Sequence, residues 1–301
     1  MYQQDQKSLL RKADELIDNR DYDRALSILG DLGSNGLEPE IDIEVRFLTG
    51  SAYYERGDYD DALPHLQAVA AGPPEHPDRP EALLLLGYIA IFKAFDADEE
   101  GDSEGFTANI RRALPHFKTF ETEYPDRPDI SEAYGRIGQC HLELDNLRTA
   151  IDYYWRAKEN CGEDELVGFY LRKLGTIYQD LEEYDTAQEL LTQSLQHPDT
   201  PNGRGQALSN LGRIALFVDD DPELAMKLFS EALELFDSQA EDYVSASHDH
   251  ALYGMGEVLL DAGEVDTARY YFERVIVMDN PHTGNAELAA EALLETTTTR
   301  H

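Results

Sequence analysis

The 301-residue sequence is poor in the residues that staple a chain or hold it in a membrane. It has two cysteines, Cys140 and Cys161, too few for an extracellular disulfide framework. Both fall on predicted helices among apolar neighbours and read as small buried hydrophobes. The longest apolar run, residues 82–92, is eleven residues, too short to span a bilayer and suited to a buried helix. Residues 1–11 are polar, so no secretory signal peptide is predicted there, and the expected setting is the cytoplasm. Positive charge is scarce: 25 Lys and Arg face 61 Asp and Glu, a formal net charge of −36. Such a surface repels phosphate backbones and anionic bilayers, so neither nucleic-acid binding nor membrane insertion is expected. Abundant carboxylates with few lysines resemble the proteomes of organisms that keep molar salt in the cytoplasm, where screening confines repulsion to a few ångströms.

Catalytic signatures are missing as well. There is no Gly-rich phosphate loop, nucleophile elbow or HExxH, and with 61 acids paired carboxylates occur everywhere and mark no site. No catalytic residue, cofactor or metal site is predicted. Residues 96–105 place acids at alternate positions with Gly101 sixth, as a calcium loop does, but the twelfth position is Thr107, where a bidentate Glu belongs. The segment reads as a solvated acidic loop. His248 and His250, the one close pair among nine histidines, stand two residues apart at a helix start and would not share a face.

What is present is a repeat. Small residues recur inside apolar helical segments at Gly50, Gly87, Gly138, Gly175, Gly212 and Gly256, and alanines at Ala25, Ala62, Ala113, Ala150, Ala187, Ala225 and Ala268. The glycine-to-alanine offset is 12 in four repeats, 13 in one and 26 in the third. Four residues after each alanine stands a large apolar side chain: Leu29, Leu66, Phe117, Tyr154, Leu191, Phe229 or Phe272. This is the pattern of a helical hairpin, in which a glycine on the first helix admits the second closely and the large residue fills the groove. Asp21, Asp58 and Asn146, each before a Tyr or Leu, are suited to cap the second helices.

The pattern resembles the tetratricopeptide repeat, W-x₂-L-G-x₂-Y, then A-x₃-F, then P. The nearest matches are Leu174-Gly175-Thr176-Ile177-Tyr178 and Gly50-Ser51-Ala52-Tyr53, with closing prolines at Pro74, Pro125, Pro198 and Pro281. The opening Trp is absent; Trp155 lies on a second helix. The 37-residue spacing and Tyr124-Pro125-Asp126-Arg127-Pro128 are similar to bacterial envelope-assembly members of the superfamily. The resemblance implies an all-α fold, a right-handed α-solenoid of about seven helix–turn–helix repeats near 6–37, 43–76, 80–127, 131–164, 168–201, 205–239 and 249–282. A capping helix at 285–295 completes a single solenoid over 1–295, and residues 296–301 form a disordered tail.

It also implies a function: a non-catalytic scaffold or adaptor that binds a partner peptide or helix in its concave groove. First helices line that groove. The residues beside the small positions are Phe47, Tyr54, Tyr88, Gln139, Phe169, Arg172, Gln179, Arg213 and Tyr253. Arg172 and Arg213 are expected either to receive an acidic or C-terminal carboxylate, which arginine binds bidentately, or to pair with neighbouring acids. Tyr88, Phe169 and Tyr253 are expected anchors. The alternatives are an envelope-assembly component outside the cytoplasmic membrane and a regulatory or metal-binding subunit. The charge carries one prediction: Tm should rise from millimolar to molar salt as self-repulsion is screened. A salt-independent melt would remove the high-salt reading.

Overall fold

The structure is a computed structural model that describes residues 2–33, 37–162, 164–238, 246–278 and 283–298. Among them lie fifteen helices and no strand, the all-α solenoid class expected from the repeat. The chain divides into two compact units, residues 1–160 and 161–301. In the first, α1 (Tyr2–Asp18) pairs with α2 (Tyr22–Gly33), α3 (Pro39–Arg56) with α4 (Tyr59–Ala70), α5 (Arg79–Glu99) with α6 (Ser103–Glu123), and α7 (Ile130–Glu143) with α8 (Leu147–Asn160). In the second, α9 (Asp164–Asp180) pairs with α10 (Tyr184–Ser194), α11 (Pro201–Phe217) with α12 (Pro222–Asp237), and α13 (Ala246–Asp261) with α14 (Val265–Met278). Helix α15 (Asn285–Thr298) follows and lies against α14 and α13, with Ala289 joining their core.

Each hairpin closes on one contact. A Cβ added at Gly50 would stand 2.8 Å from Leu66 Cδ2, at Gly175 2.7 Å from Leu191 Cγ, and at Gly212 2.7 Å from Phe229 Cε1. The facing alanines and the large side chains beside them are fully buried. The first hairpin, which lacks the glycine, places buried Ala13 twelve residues before Ala25. Alanine, with the smallest side chain after glycine, fills the same role there. Hairpin cores run into one another through shared half-buried residues, Phe47 and Tyr88 in the first unit and Leu195 and Leu228 in the second.

The turns inside the hairpins share one geometry. Left-handed residues stand at Arg20, Gly57, Gly101, Asp145, Glu182, Asp220 and Gly263, each two positions before the first residue of its second helix. In six of the seven, paired backbone bonds back into the first helix form a Schellman cap, as in Gly57 N–H to Tyr54 O and Asp58 N–H to Tyr53 O, both 2.9 Å. The exception is the turn at Asp220, where Asp221 N–H reaches back to Ala215 O at 2.8 Å. That extra residue accounts for the offset of 13 between Gly212 and Ala225. Asp58 was expected to cap α4, but its carboxylate makes no cap bond and instead accepts from Arg56. Side-chain caps form at Asp102, Thr200 and Asp221.

Several boundaries differ from expectation for local reasons. Helices α3 and α11 begin at Pro39 and Pro201, earlier than the starts near 43 and 205, because proline suits the first helical turn. Residues 96–105, expected as a loop, are mostly helix: α5 runs to Glu99 and α6 starts at Ser103. The fourteen-residue surplus in the offset from Gly87 to Ala113 is shared almost equally between the two helices, about two turns in each. Cys161 lies just past α8 and is half-buried, whereas Cys140 is fully buried in α7, where burial pushes its thiol up to about 12. Pro281 and residues 299–301 of the expected tail lie outside the described residues.

The close approach makes a paired prediction. Gly212→Ala should destabilise the fold by about 1–3 kcal/mol, because Phe229 is pinned between Gly212 and Gly254. Gly30→Ala, in α2 with nothing within 4 Å of the new methyl, should stabilise it by about 0.5–1 kcal/mol. Chemical denaturation of the two variants checks both signs.

Candidate functional site

In the first unit the stripe next to the small positions forms an aromatic surface. Phe47 and Ser51 of α3, with Asp14 and Asp18 of α1, line a cleft of about 420 Å³. Further along, Tyr54 packs on Tyr59 at 5.9 Å, Tyr59 stacks on Phe92 at 5.4 Å, and Phe95 meets Phe106 edge-on at 6.2 Å. Phe92 and Phe95 are 38% and 40% exposed, carried there by the lengthened α5. Burial and the neighbouring Tyr59 and Glu55 push the Tyr54 phenol up to about 12. The Tyr88 phenol, also raised by burial, donates to Glu132.

Over Tyr88 lies a cation the sequence reading passed by. Arg136 of α7 sits with its guanidinium 4.8 Å from the ring centre and donates to Gln139 Oε1 at 3.1 Å. It is half-buried, and among the described residues it has no carboxylate within ion-pair distance. Tyr88 and Gln139 are thus brought together around Arg136, whose charge also acts on the Tyr54 phenol. The i,i+3 spacing to Gln139 was the only sequence signal for it.

In the second unit the expected arginines part ways. Arg172 is only 6% exposed and its fork is occupied: Nε donates to Asp199 Oδ2 at 3.1 Å, Nη1 to Gln206 Oε1 at 2.6 Å, and the plane lies 5.3 Å from the centre of Phe169. It pairs within the chain, the second of the two roles weighed for it, and so is no receiver for a partner's carboxylate. Asn210 continues the link between α11 and α9, donating to Thr176 Oγ1 at 3.0 Å. Arg213 is half-buried with no ion pair among the described residues. Burial weakens its hold on its proton, and Asp180 and Tyr184 act on it from α9 and α10 in the opposite sense. The buried Gln179 Oε1 has no hydrogen-bond partner among the described residues. Tyr253 packs on Phe272 at 5.7 Å, and burial and Glu257 push its phenol up to about 12.

The two histidines face different neighbours. His248 stacks on Phe236 at 5.0 Å. Burial and Arg213 push His250 down to about 4. Among the described residues no group of three His, Cys, Asp or Glu is placed to hold a metal ion, and no helix is long and apolar enough to cross a membrane.

This is a tetratricopeptide-repeat protein: two profiles of that repeat match residues 129–199 and 223–282. A third, YfiO, described as outer membrane lipoprotein, matches residues 2–160, just over half the chain. The chain belongs to that family. No curated protein matches the sequence. Among solved structures, the apo quorum sensor NprR from B. thuringiensis is similar with a TM-score of 0.66 and 15% identity, over 96% of this chain and 81% of that one. The C-terminal part of a repeat protein from Cytophaga hutchinsonii gives 0.62 and 18%, over 90% and 95%. A Rap protein complexed with competence and sporulation factor gives 0.52 and 13%, over 91% and 76%. At these identities the likeness is one of fold.

The depressed His250 carries a pH prediction. At about pH 5 the unfolded chain binds a proton at an imidazole of ordinary pKa 6.5 that the folded chain refuses, so stability is lost as pH falls through 6.5 towards 4. The loss is on the order of 2 kcal/mol at pH 5. His250→Gln should shrink the fall in Tm between about pH 7 and pH 5; an equal fall in parent and variant would show an ordinary imidazole.

Proposed function

We propose that the chain is a non-catalytic scaffold that holds a segment of a partner protein, a peptide or helix, against its first helices. One observation carries this reading. With 61 acids available to 25 bases, Arg136 and Arg213 are half-buried on the first-helix surface without an ion pair among the described residues. A partner's carboxylates supply what the chain withholds. The aromatic side chains of Tyr54, Tyr88, Phe92 and Phe95 in one unit, and of Phe169 and Tyr253 in the other, offer apolar anchors, with Phe47 beside the acidic cleft. Gln139 and Gln179 offer amides to a partner backbone. The repeat family supports protein partners in general, and the Rap complex is one array of this fold with a bound factor.

The setting has two readings. The acidic, lysine-poor composition supports a high-salt cytoplasm, and membership of a family described as outer membrane lipoprotein supports a component of envelope assembly. Fractionation of the native protein, with the mass of its mature N-terminus, separates them: a lipid-modified product in the membrane fraction would sink the cytoplasmic reading.

Binding is tested by affinity capture at native salt with the parent chain and with Arg136→Glu/Arg213→Glu as baits. Each lost charged hydrogen-bond partner weakens binding by about 1.5–3 kcal/mol, roughly tenfold or more. A partner retained by the parent and lost by the variant is the expected result. The same partners on both baits would place binding elsewhere.

A further inference from the structure

A second surface of the first unit inverts the charge of the protein. Between α4 and α6, with α5 as its floor, lies a cleft of about 570 Å³. Leu63, Leu86, Ile89 and Ala90 give it apolar walls, and Lys93, Arg111 and Arg112 rim it. None of its lining residues is a carboxylate. The contrast is internal to the chain: the cleft beside Phe47 is lined by Asp14, Asp18, Glu55 and Glu81, and a cleft of about 590 Å³ in the second unit by Asp185 and Glu189. In a protein with 61 acids and 25 bases, an apolar cleft with cations and no acid stands out.

Two of the three rim cations, Arg111 and Arg112, have no ion pair among the described residues. Lys93 pairs with Asp60, and Arg112 donates to the neutral Asn109 Oδ1 at 2.8 Å. Arg111 is exposed and has no ion pair or hydrogen bond among the described residues. Pro115 lacks an N–H, so the Arg111 carbonyl on the same wall cannot receive its usual helical bond. Two copies of one tetrapeptide, Ala62-Leu63-Pro64-His65 and Ala113-Leu114-Pro115-His116, contribute Leu63 to one wall and Pro115 and His116 to the other. The cleft is also independent of the surface discussed above. At about 100° per residue, Leu86, Ile89 and Lys93 lie on the side of α5 opposite Tyr88 and Phe95.

We infer that this cleft is a docking site for an acidic amphipathic segment of a partner protein, whose aliphatic side chains enter between α4 and α6 while its carboxylates meet Arg111 and Arg112. The charge of the rim selects an acidic occupant, and a trough between two helices takes the side-chain row of one more.

The test uses the full chain at the lowest salt at which it stays folded, with a fluorescein-labelled Glu/Leu helical peptide and its Lys/Leu counterpart read by anisotropy. The Glu/Leu peptide should bind saturably, and Arg111→Glu/Arg112→Glu should weaken it at least about tenfold with an unchanged melt. Ala90→Phe, which fills the floor without changing charge, should weaken it too. Equal affinity for parent and charge-reversed chain overturns the inference. So does a loss seen only with Arg136→Glu/Arg213→Glu, which would assign the peptide to the first-helix surface and leave the scaffold reading intact. Binding of phosphatidylglycerol vesicles without binding of the peptide would make the site one for lipid. Self-association that Arg111→Glu/Arg112→Glu abolishes would make the occupant a second copy, and either result sinks the partner segment.

Discussion

Six of the seven hairpins of this chain depend on a missing side chain. Where Gly50, Gly175 or Gly212 stands, Leu66, Leu191 or Phe229 occupies the space a methyl group would need. The glycine costs helix propensity, roughly 1 kcal/mol against alanine, and that cost is offset by the burial of a large apolar residue, worth about 1.5–3 kcal/mol. The contact recurs from hairpin to hairpin, and a stripe of first-helix residues lies beside it each time. The candidate interaction surface follows from this constraint, since Tyr54 stands four residues after Gly50 on its own helix, and Tyr88 and Gln139 stand immediately after Gly87 and Gly138.

This constraint was readable without coordinates because it recurs at a fixed interval. What stayed hidden were features that occur once or that compensate at a distance. Ala13 plays the glycine's part in the first hairpin, but one more alanine in a helix carries no distinguishing mark. Residues 96–105 have the acids and glycines of a loop, yet both helices extend into them from either side. Arg172 finds its partner 27 residues away in Asp199, beyond what local spacing reveals. Apart from its spacing to Gln139, Arg136 of α7 carries no mark in the sequence because its setting comes from the ring of Tyr88 on a different helix.

Charge distribution sharpens the picture. With so few cations, the disposition of each one is informative. Some are fasteners: Arg79 binds Glu123, Tyr124 and the Ala70 carbonyl, and Arg172 binds Asp199 and Gln206. Arg79 ties the start of α5 to the ends of α4 and α6, Arg172 ties the middle of α9 to the start of α11 and the loop before it, and their burial makes the pairing obligatory. Arg111, Arg136 and Arg213 tie nothing of the kind. The same residue type thus serves cohesion in one place and stands without an ion pair among the described residues in another, and burial with a filled fork separates the two.

The lengthened third hairpin has a consequence for how such a chain can change over generations. Its fourteen added residues are divided so that each helix gains close to a whole number of turns. Phe95 therefore still points the way Tyr88 does, and Phe106 still meets it. A gain or loss of one or two residues there would rotate everything beyond it and turn the aromatic face away. Inherited length changes in this hairpin are thus quantised: they survive in steps of about seven residues per helix, matched on both strands of the hairpin. The acidic composition that disguises the segment as a loop is free to drift, while its length is not.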